Sequence, residues 1–170
     1  MKAQKLIIGL GNPGEKYKNN RHNVGHLFVT WAKKEGFFSK EAFLTKTDCF
    51  MNESGGFVKK EAKKHWTNLT NLTNLFVMHD DLDIPLGKFK IQLAVGPKVH
   101  NGLDSVEQEL GSKDFWRVRI GVDARDPLSR IPGEDYVLRD FTKVELEILE
   151  KLFPMIWEGL QDKFRIDNLE

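Results

Sequence analysis

An apolar run that empties into a glycine-rich turn constrains this chain more than any other stretch. Residues 4–10 read as a buried strand centred on Leu6-Ile7-Ile8, and Gly11-Asn12-Pro13-Gly14 follows at once. In open α/β sheets a strand end of this kind lies at the edge where ligands bind. By letter, Gly9-x-Gly11-x-x-Gly14 also matches the dinucleotide-binding fingerprint. Pro13 and the polar stretch Glu15 to Asn20 are wrong for the helix that should begin at the second glycine. No clear acidic residue closes a second strand about 20 positions on, as that fold requires.

The rest of the chain alternates between the two hydrophobic periods. Val24, Leu27, Phe28, Trp31 and Ala32 share one helical face, with Gly36 as the stop. Ala42-Phe43-Leu44 is a short strand, and Ser54 is placed to cap a helix carrying Val58, Ala62 and Trp66. The Thr-Asn-Leu near-repeat from Thr67 to Leu75 reads as a connection or a frayed helix end rather than a functional tract. Leu75 to Met78 is a second buried strand that runs out into His79-Asp80-Asp81-Leu82-Asp83. Phe89, Ile91 and Leu93 alternate as in a half-exposed strand. Gly102 precedes a helix carrying Leu103, Val106 and Leu110 and ended by Gly111. Val118, Ile120 and Val122 mark another strand, and residues 123–135 a polar loop. Thr142 and Glu145 form a capping box ahead of a last helix, which Pro154 is expected to break or kink. Strands alternating with helices predict one α/β domain over residues 1–170, a sheet flanked by helices.

Composition narrows the class without choosing a function. The 170 residues are 40% hydrophobic and 30% charged, as in a soluble globular protein. No apolar run approaches the roughly 20 residues of a membrane span, and the run after Lys2 and Lys5 is too short for a signal-peptide core. A single cysteine, Cys49, excludes an internal disulfide and fits a reducing cytosol. The formal charge of +1 leaves room for a basic face. Lys16, Lys18 and Arg21, then Lys88 and Lys90, then Arg117, Arg119 and Arg125 are the local groups.

Polar residues at apolar strand ends carry the chemistry: Asn12, the Met51-Asn52 step, Asp80, and His100-Asn101. His22 is the one side chain near the first turn able to act as a base at neutral pH. A carboxylate such as Asp80 can fix its tautomer and stabilise its protonated form. Asn side chains can hold a water or a carbonyl. The set suits attack of activated water on an ester. Other chemistry remains open: a metal on His22 and His26 at i, i+4, Mg²⁺ on Asp80, Asp81 and Asp83, or a thiol nucleophile at Cys49.

Taken in order, Gly9-Leu-Gly-Asn-Pro-Gly14, Arg21-His-Asn-Val-Gly25, Phe50-Met-Asn-x-Ser-Gly55, His79-Asp-Asp-Leu-Asp-x-Pro85 and His100-Asn-Gly-Leu103 closely resemble bacterial-type peptidyl-tRNA hydrolases. Arg117-x-Arg-Ile-Gly121 and Asp135-Tyr-Val-Leu138 extend the match over nearly the whole chain. The resemblance implies a single α/β domain with a twisted mixed sheet between helices. It implies cleavage of the ester between a peptide and the terminal ribose of tRNA by a cytoplasmic monomer, with tRNA as partner, no DNA, no membrane, no cofactor and no metal. It makes His22 the base, Asp80 the carboxylate that orients it, and Asn12, Asn52 and Asn101 ligands of the substrate end and the developing oxyanion. Met51 and His100 would line the cleft, and Arg119 would grip phosphate.

The chain departs from that pattern in places. The usual glycine-rich run before His-Asn-Gly-Leu is Ala94-Val95-Gly96-Pro97-Lys98-Val99, expected to stiffen and crowd a loop over the cleft. Gln92 stands where a phosphate-gripping lysine is usual. Only one strand fits between Gly36 and Phe50, so a shortened sheet edge is expected, and the C-terminal helix looks curtailed. A catalytically weak or inactive relative serving as an RNA-binding module is the alternative function.

Overall fold

The computed structural model describes residues 5–37, 42–128 and 130–166. Its centre is a five-stranded sheet in the order β2-β1-β3-β5-β4, with β1 Lys5–Gly9, β2 Ala42–Lys46, β3 Leu75–Pro85, β4 Phe89–Leu93 and β5 Trp116–Asp123. The first four strands in that order run parallel, and β4 closes the edge antiparallel to β5. Helices α1 (Val24–Lys34) and α5 (Lys143–Ile166) cover one face; α2 (Ser54–His65) and α3 (Asn101–Leu110) cover the other. A short α4 (Gly133–Val137) lies between β5 and α5. This is the single-domain α/β fold that the alternating pattern predicts, with the mixed sheet that the family resemblance implies.

Each face has its own core. Ile7, Phe28, Phe76, Phe153 and Trp157 pack on one side, and Leu6, Ile8, Val58, Val77, Val106 and Phe115 on the other. Adjacent residues of β1 and β3 therefore point into different cores, which is why these strands read as continuous apolar runs. Helix α1 approaches β1 so closely that a Cβ on Gly9 would meet the Gly25 carbonyl, and a Cβ on Gly25 would meet the Met78 carbonyl. This contact holds the His22 turn against the strand ends. From β1 the chain crosses outward to β2 and then back past β1 to β3, so β1 and β3 flank a topological switch point. Ligands bind outside the carboxyl ends of strands at such a point.

Several local expectations hold. Gly111 adopts φ 65° and closes α3, and Thr142 and Glu145 cap α5 reciprocally, with Thr142 N–H to Glu145 Oε2 at 2.6 Å and Glu145 N–H to Thr142 Oγ1 at 3.2 Å. Others need correction. Pro154 does not break the last helix: it lies inside a continuous 24-residue element. It is exposed, so the Glu150 carbonyl deprived of its N–H faces water, while Leu149, Leu152, Phe153, Ile156 and Leu160 keep the buried stripe unbroken. Ser54 does not cap α2; it is the first helical residue, and its hydroxyl donates to the Met51 carbonyl at 2.6 Å. Gly102 is inside α3, whose cap is the His100 ring, which accepts the Leu103 N–H at 3.2 Å. Strand β3 does not end at Met78. It stays paired with β5 through Asp81, then shifts register before Pro85. The polar loop closes into α4 at Gly133.

One strand, β2, lies between α1 and Phe50 among the described residues, as the shortened segment predicts. Ala94 takes φ 56° within the altered loop, a left-handed conformation that a β-carbon disfavours by about 1–2 kcal/mol. Glycine relieves that strain but loses more backbone entropy on folding. We expect Ala94→Gly to stabilise the fold by about 1 kcal/mol and raise Tm by roughly 2–4 °C, read by thermal denaturation. An unchanged or lower Tm contradicts this.

Candidate active site

The turn after β1 is built to present Asn12. The Asn23 side chain clamps its backbone: Asn12 N–H donates to Asn23 Oδ1 at 2.9 Å, and Asn23 Nδ2 donates to the Asn12 carbonyl at 2.8 Å. The Asn12 side-chain oxygen accepts the Met51 N–H at 2.8 Å. That bond fixes the amide orientation and turns Nδ2, the donor, away from Met51. Met51 is held in turn by Ser54 and by close packing under Gly102, where a Cβ would meet its sulfur.

Asp80, buried in β3, is the hub. His22 Nδ1 lies 2.8 and 2.9 Å from its two oxygens, and His100 Nε2 lies 2.8 Å from Oδ1. Because His100 Nδ1 accepts from Leu103, its Nε2 must carry the proton and donate to Asp80. The same carboxylate takes the His22 Nδ1–H and leaves His22 Nε2 as a free lone pair. Burial alone would raise the Asp80 carboxyl, but the His22 and His100 imidazoles outweigh it and hold the group well below the usual carboxylate range. For His22, burial pulls down; the charge and hydrogen bond of Asp80 win and raise it above its ordinary value.

These groups open into a cleft of about 580 Å³ lined by Asn12, His22, Met51, Asn52, Asp80, His100 and Asn101. All the proposed site residues but one thus converge on a single cavity, with Asn52 and Asn101 exposed at its rim. Arg119 is the exception. It is 7% exposed in β5, with Nε on Asp81 Oδ2 at 2.7 Å and Nη1 on Gln92 at 2.8 Å. Only Nη2 is left without a hydrogen-bond partner among the described residues. Arg117 is also spent internally, on Glu107 and the carbonyls of Lys113 and Phe115.

Sequence reasoning did not assign two parts of the site. The Asn23 clamp was hidden because its partner lies 11 residues back, although it sits within the Arg21-His-Asn motif. Gly133, Glu134, Val137 and Leu138 form the far wall from α4, which reads as polar loop in sequence. Of the altered loop, only Val99 lines the cleft, so crowding is confined to one side chain.

The alternative chemistries lose their geometry. His26 turns away from His22 to bond Thr47 Oγ1 at 3.0 Å, and burial with the nearby Lys46 charge pushes its pKa down to about 4. His22, Asp80 and His100 bring ligand atoms within 4.8 Å of one another, but a metal on His100 Nε2 would have to displace the proton that Leu103 fixes there. Asp80, Asp81 and Asp83 do not converge: Asp81 holds Arg119, and Asp83 accepts the Lys98 N–H. Burial raises the Cys49 thiol, and Cys49 lies outside the cleft. No helix begins at the second glycine; a 3₁₀ turn, Glu15–Tyr17, follows Gly14, and α1 starts only at Val24. Among the described residues no helix is long and apolar enough to cross a membrane.

Comparison with known proteins identifies the family. The peptidyl-tRNA hydrolase family model matches residues 6–167. The chain is 37% identical to the peptidyl-tRNA hydrolase of Pseudothermotoga lettingae, over 96% of each chain. It is 40% identical to that of Geobacter metallireducens, over 94% of this chain and 86% of the relative. The crystal structure of the Acinetobacter baumannii peptidyl-tRNA hydrolase superposes with TM-score 0.73 at 25% identity, covering 96% of this chain and 94% of that one. The family model over residues 6–167, with relatives at 37% and 40% identity along nearly the whole chain, places this chain in the peptidyl-tRNA hydrolase family.

Proposed function

We propose that this chain hydrolyses the ester joining a peptide to the terminal ribose of tRNA, using water activated by His22. The observation that carries this is the His22 Nδ1–Asp80 hydrogen bond at 2.8 Å, which leaves Nε2 as a base facing the cleft. His22 Nε2 takes a proton from water as the oxygen adds to the ester carbonyl. Asp80 stabilises the imidazolium that forms. The tetrahedral oxyanion accepts hydrogen bonds from Asn12 Nδ2 and from the amide of Asn101, donors set before the reaction begins. Collapse breaks the bond to the ribose oxygen, and His22 returns its proton there. The products are tRNA with its terminal hydroxyl restored and a free peptide, whose new carboxylic acid gives its remaining proton to solvent.

Asn52, Met51 and His100 hold the substrate end in the cleft. The protein acts as a cytoplasmic monomer, with tRNA as its partner and no cofactor. Arg119 contributes through Nη2, as a phosphate contact from β5. Such contacts add affinity without reading sequence, which suits an enzyme serving many tRNAs. Arg119→Gln is expected to raise KM several-fold, leave kcat within about twofold, and lower the slope of log KM against log salt by about one. An unchanged salt slope removes Arg119 from the tRNA surface. The test of the activity itself is release of the acyl group from an N-acetylated aminoacyl-tRNA by the purified protein.

A further inference from the structure

Arg21 precedes His22, and its side chain runs away from the cleft into the protein. Its Nη2 donates to both carboxylate oxygens of Glu145, at 3.0 and 2.9 Å, and Nη1 donates to the Arg139 carbonyl at 3.2 Å. The guanidinium lies 4.0 Å above the Tyr136 ring. The backbone adds to this junction: Arg21 N–H bonds the Arg139 carbonyl, Phe141 N–H bonds the Asn19 carbonyl, and Asn20 Nδ2 donates to Asp140 Oδ1 at 2.6 Å.

Each partner leads elsewhere. Tyr136 belongs to α4, and its hydroxyl donates to the Val122 carbonyl and accepts the Ala124 N–H, tying α4 to the end of β5. Val137 and Leu138 follow directly and form the far wall of the cleft. Glu145 sits in the first turn of α5 and also accepts the Thr142 N–H. One buried ion pair thus joins the turn carrying His22, the opposite wall, and the start of α5.

Stability is a weak reason for such a pair. Apolar groups of equal volume often serve as well or better, and Arg21 Nε is buried without a partner, itself unfavourable. What a two-pronged, stacked guanidinium adds is fixed orientation. We propose that Arg21 is a positioning residue for the hydrolysis: docked on Glu145 and Tyr136, it sets the spacing between His22 and the Val137–Leu138 wall. The role rests on His22 acting as the base. A misplacement of about 1 Å from outside the chemistry can cost 10²-fold in rate.

The experiment compares wild type, Arg21→Met, Arg21→Lys and Glu145→Gln on N-acetylated aminoacyl-tRNA, at a temperature where near-UV circular dichroism shows each folded. Arg21→Met is expected to lose about 30–100-fold in kcat with KM within about threefold. Glu145→Gln should show the same split at about tenfold, and Arg21→Lys should recover part of the loss, because it keeps the charge but not the fork. A purely structural role would lower Tm and leave kcat of the folded variants intact. A kcat within twofold of wild type in Arg21→Met overturns the proposal; should that variant not fold, the same result in the isosteric Glu145→Gln does so. A wild type without turnover is a different failure, of the hydrolase assignment itself.

Discussion

Replacing His22 with alanine is expected to lower the rate of peptide release at saturating substrate by about 10²–10⁴-fold, the usual worth of a general base, while tRNA binding stays within about twofold. No neighbouring imidazole can take over. Both nitrogens of His100 are committed, to Asp80 and to Leu103. His79 is fully buried, bonded to the Asp80 carbonyl, and pushed down to about 3 by burial and the nearby His100. His26 faces Thr47. Single-turnover release and filter binding separate the two effects, and a rate within tenfold of wild type removes His22 from the base role. The pH dependence carries a further sign. The base works when neutral and its pKa is raised, so activity falls as pH drops through a value above the ordinary 6.5. The linkage to stability runs the other way: this raised pKa stabilises the fold fully below 6.5, and that contribution is lost as pH rises through the folded value. The enzyme is therefore most active where His22 stabilises it least.

Asp80→Asn is the second large effect. The Asp80 oxygens accept two N–H groups, His22 Nδ1–H and His100 Nε2–H. In an asparagine the Oδ1 position can still accept, but the amide nitrogen replaces Oδ2, which lies 2.9 Å from His22 Nδ1. Two donors then face each other, and His22 relieves the conflict by moving its proton to Nε2, the nitrogen needed as the base. The wrong tautomer and the lost charge act together. An equivalent carboxylate-to-amide change in a Ser-His-Asp triad costs about 10⁴ in kcat, and a loss of about 10²–10⁴ is expected here with KM little changed. The acid limb of the rate profile should also move to lower pH, because burial pulls the His22 pKa down once Asp80 no longer holds it up. A loss carried mainly by KM contradicts the orienting role of Asp80.

The two ends of the site differed in how clearly the sequence showed them. Asn12 and Asp80 were legible because each comes just after an apolar run, where a polar residue is placed near the ligand-binding end of a sheet. His22 was legible as the one group near the first turn able to act as a base at neutral pH. The α4 wall was not, because Gly133 to Val137 makes barely more than one turn and owes its shape to Tyr136, held from β5 and stacked under Arg21. Charge patterning counts Arg117 and Arg119 in β5 as one local basic group without showing how much of that charge is spent inside the protein. Both are largely buried on acidic partners, Glu107 and Asp81, that local sequence does not pair with them. Pro154 does not break α5, because the buried stripe of the helix outweighs one missing hydrogen bond on its exposed side.

Hydrolysis of N-acetylated aminoacyl-tRNA by the purified wild-type protein in the presence of EDTA tests the central claim most directly. A base held by a carboxylate, with asparagine donors for the oxyanion, needs no metal to attack an ester, so multiple turnovers and free, re-chargeable tRNA are the expected products. Bound tRNA without release would contradict the account and make the chain an RNA-binding module. Release abolished by EDTA and restored by Mg²⁺ would contradict it as well, assigning the water's activation to a metal rather than to His22.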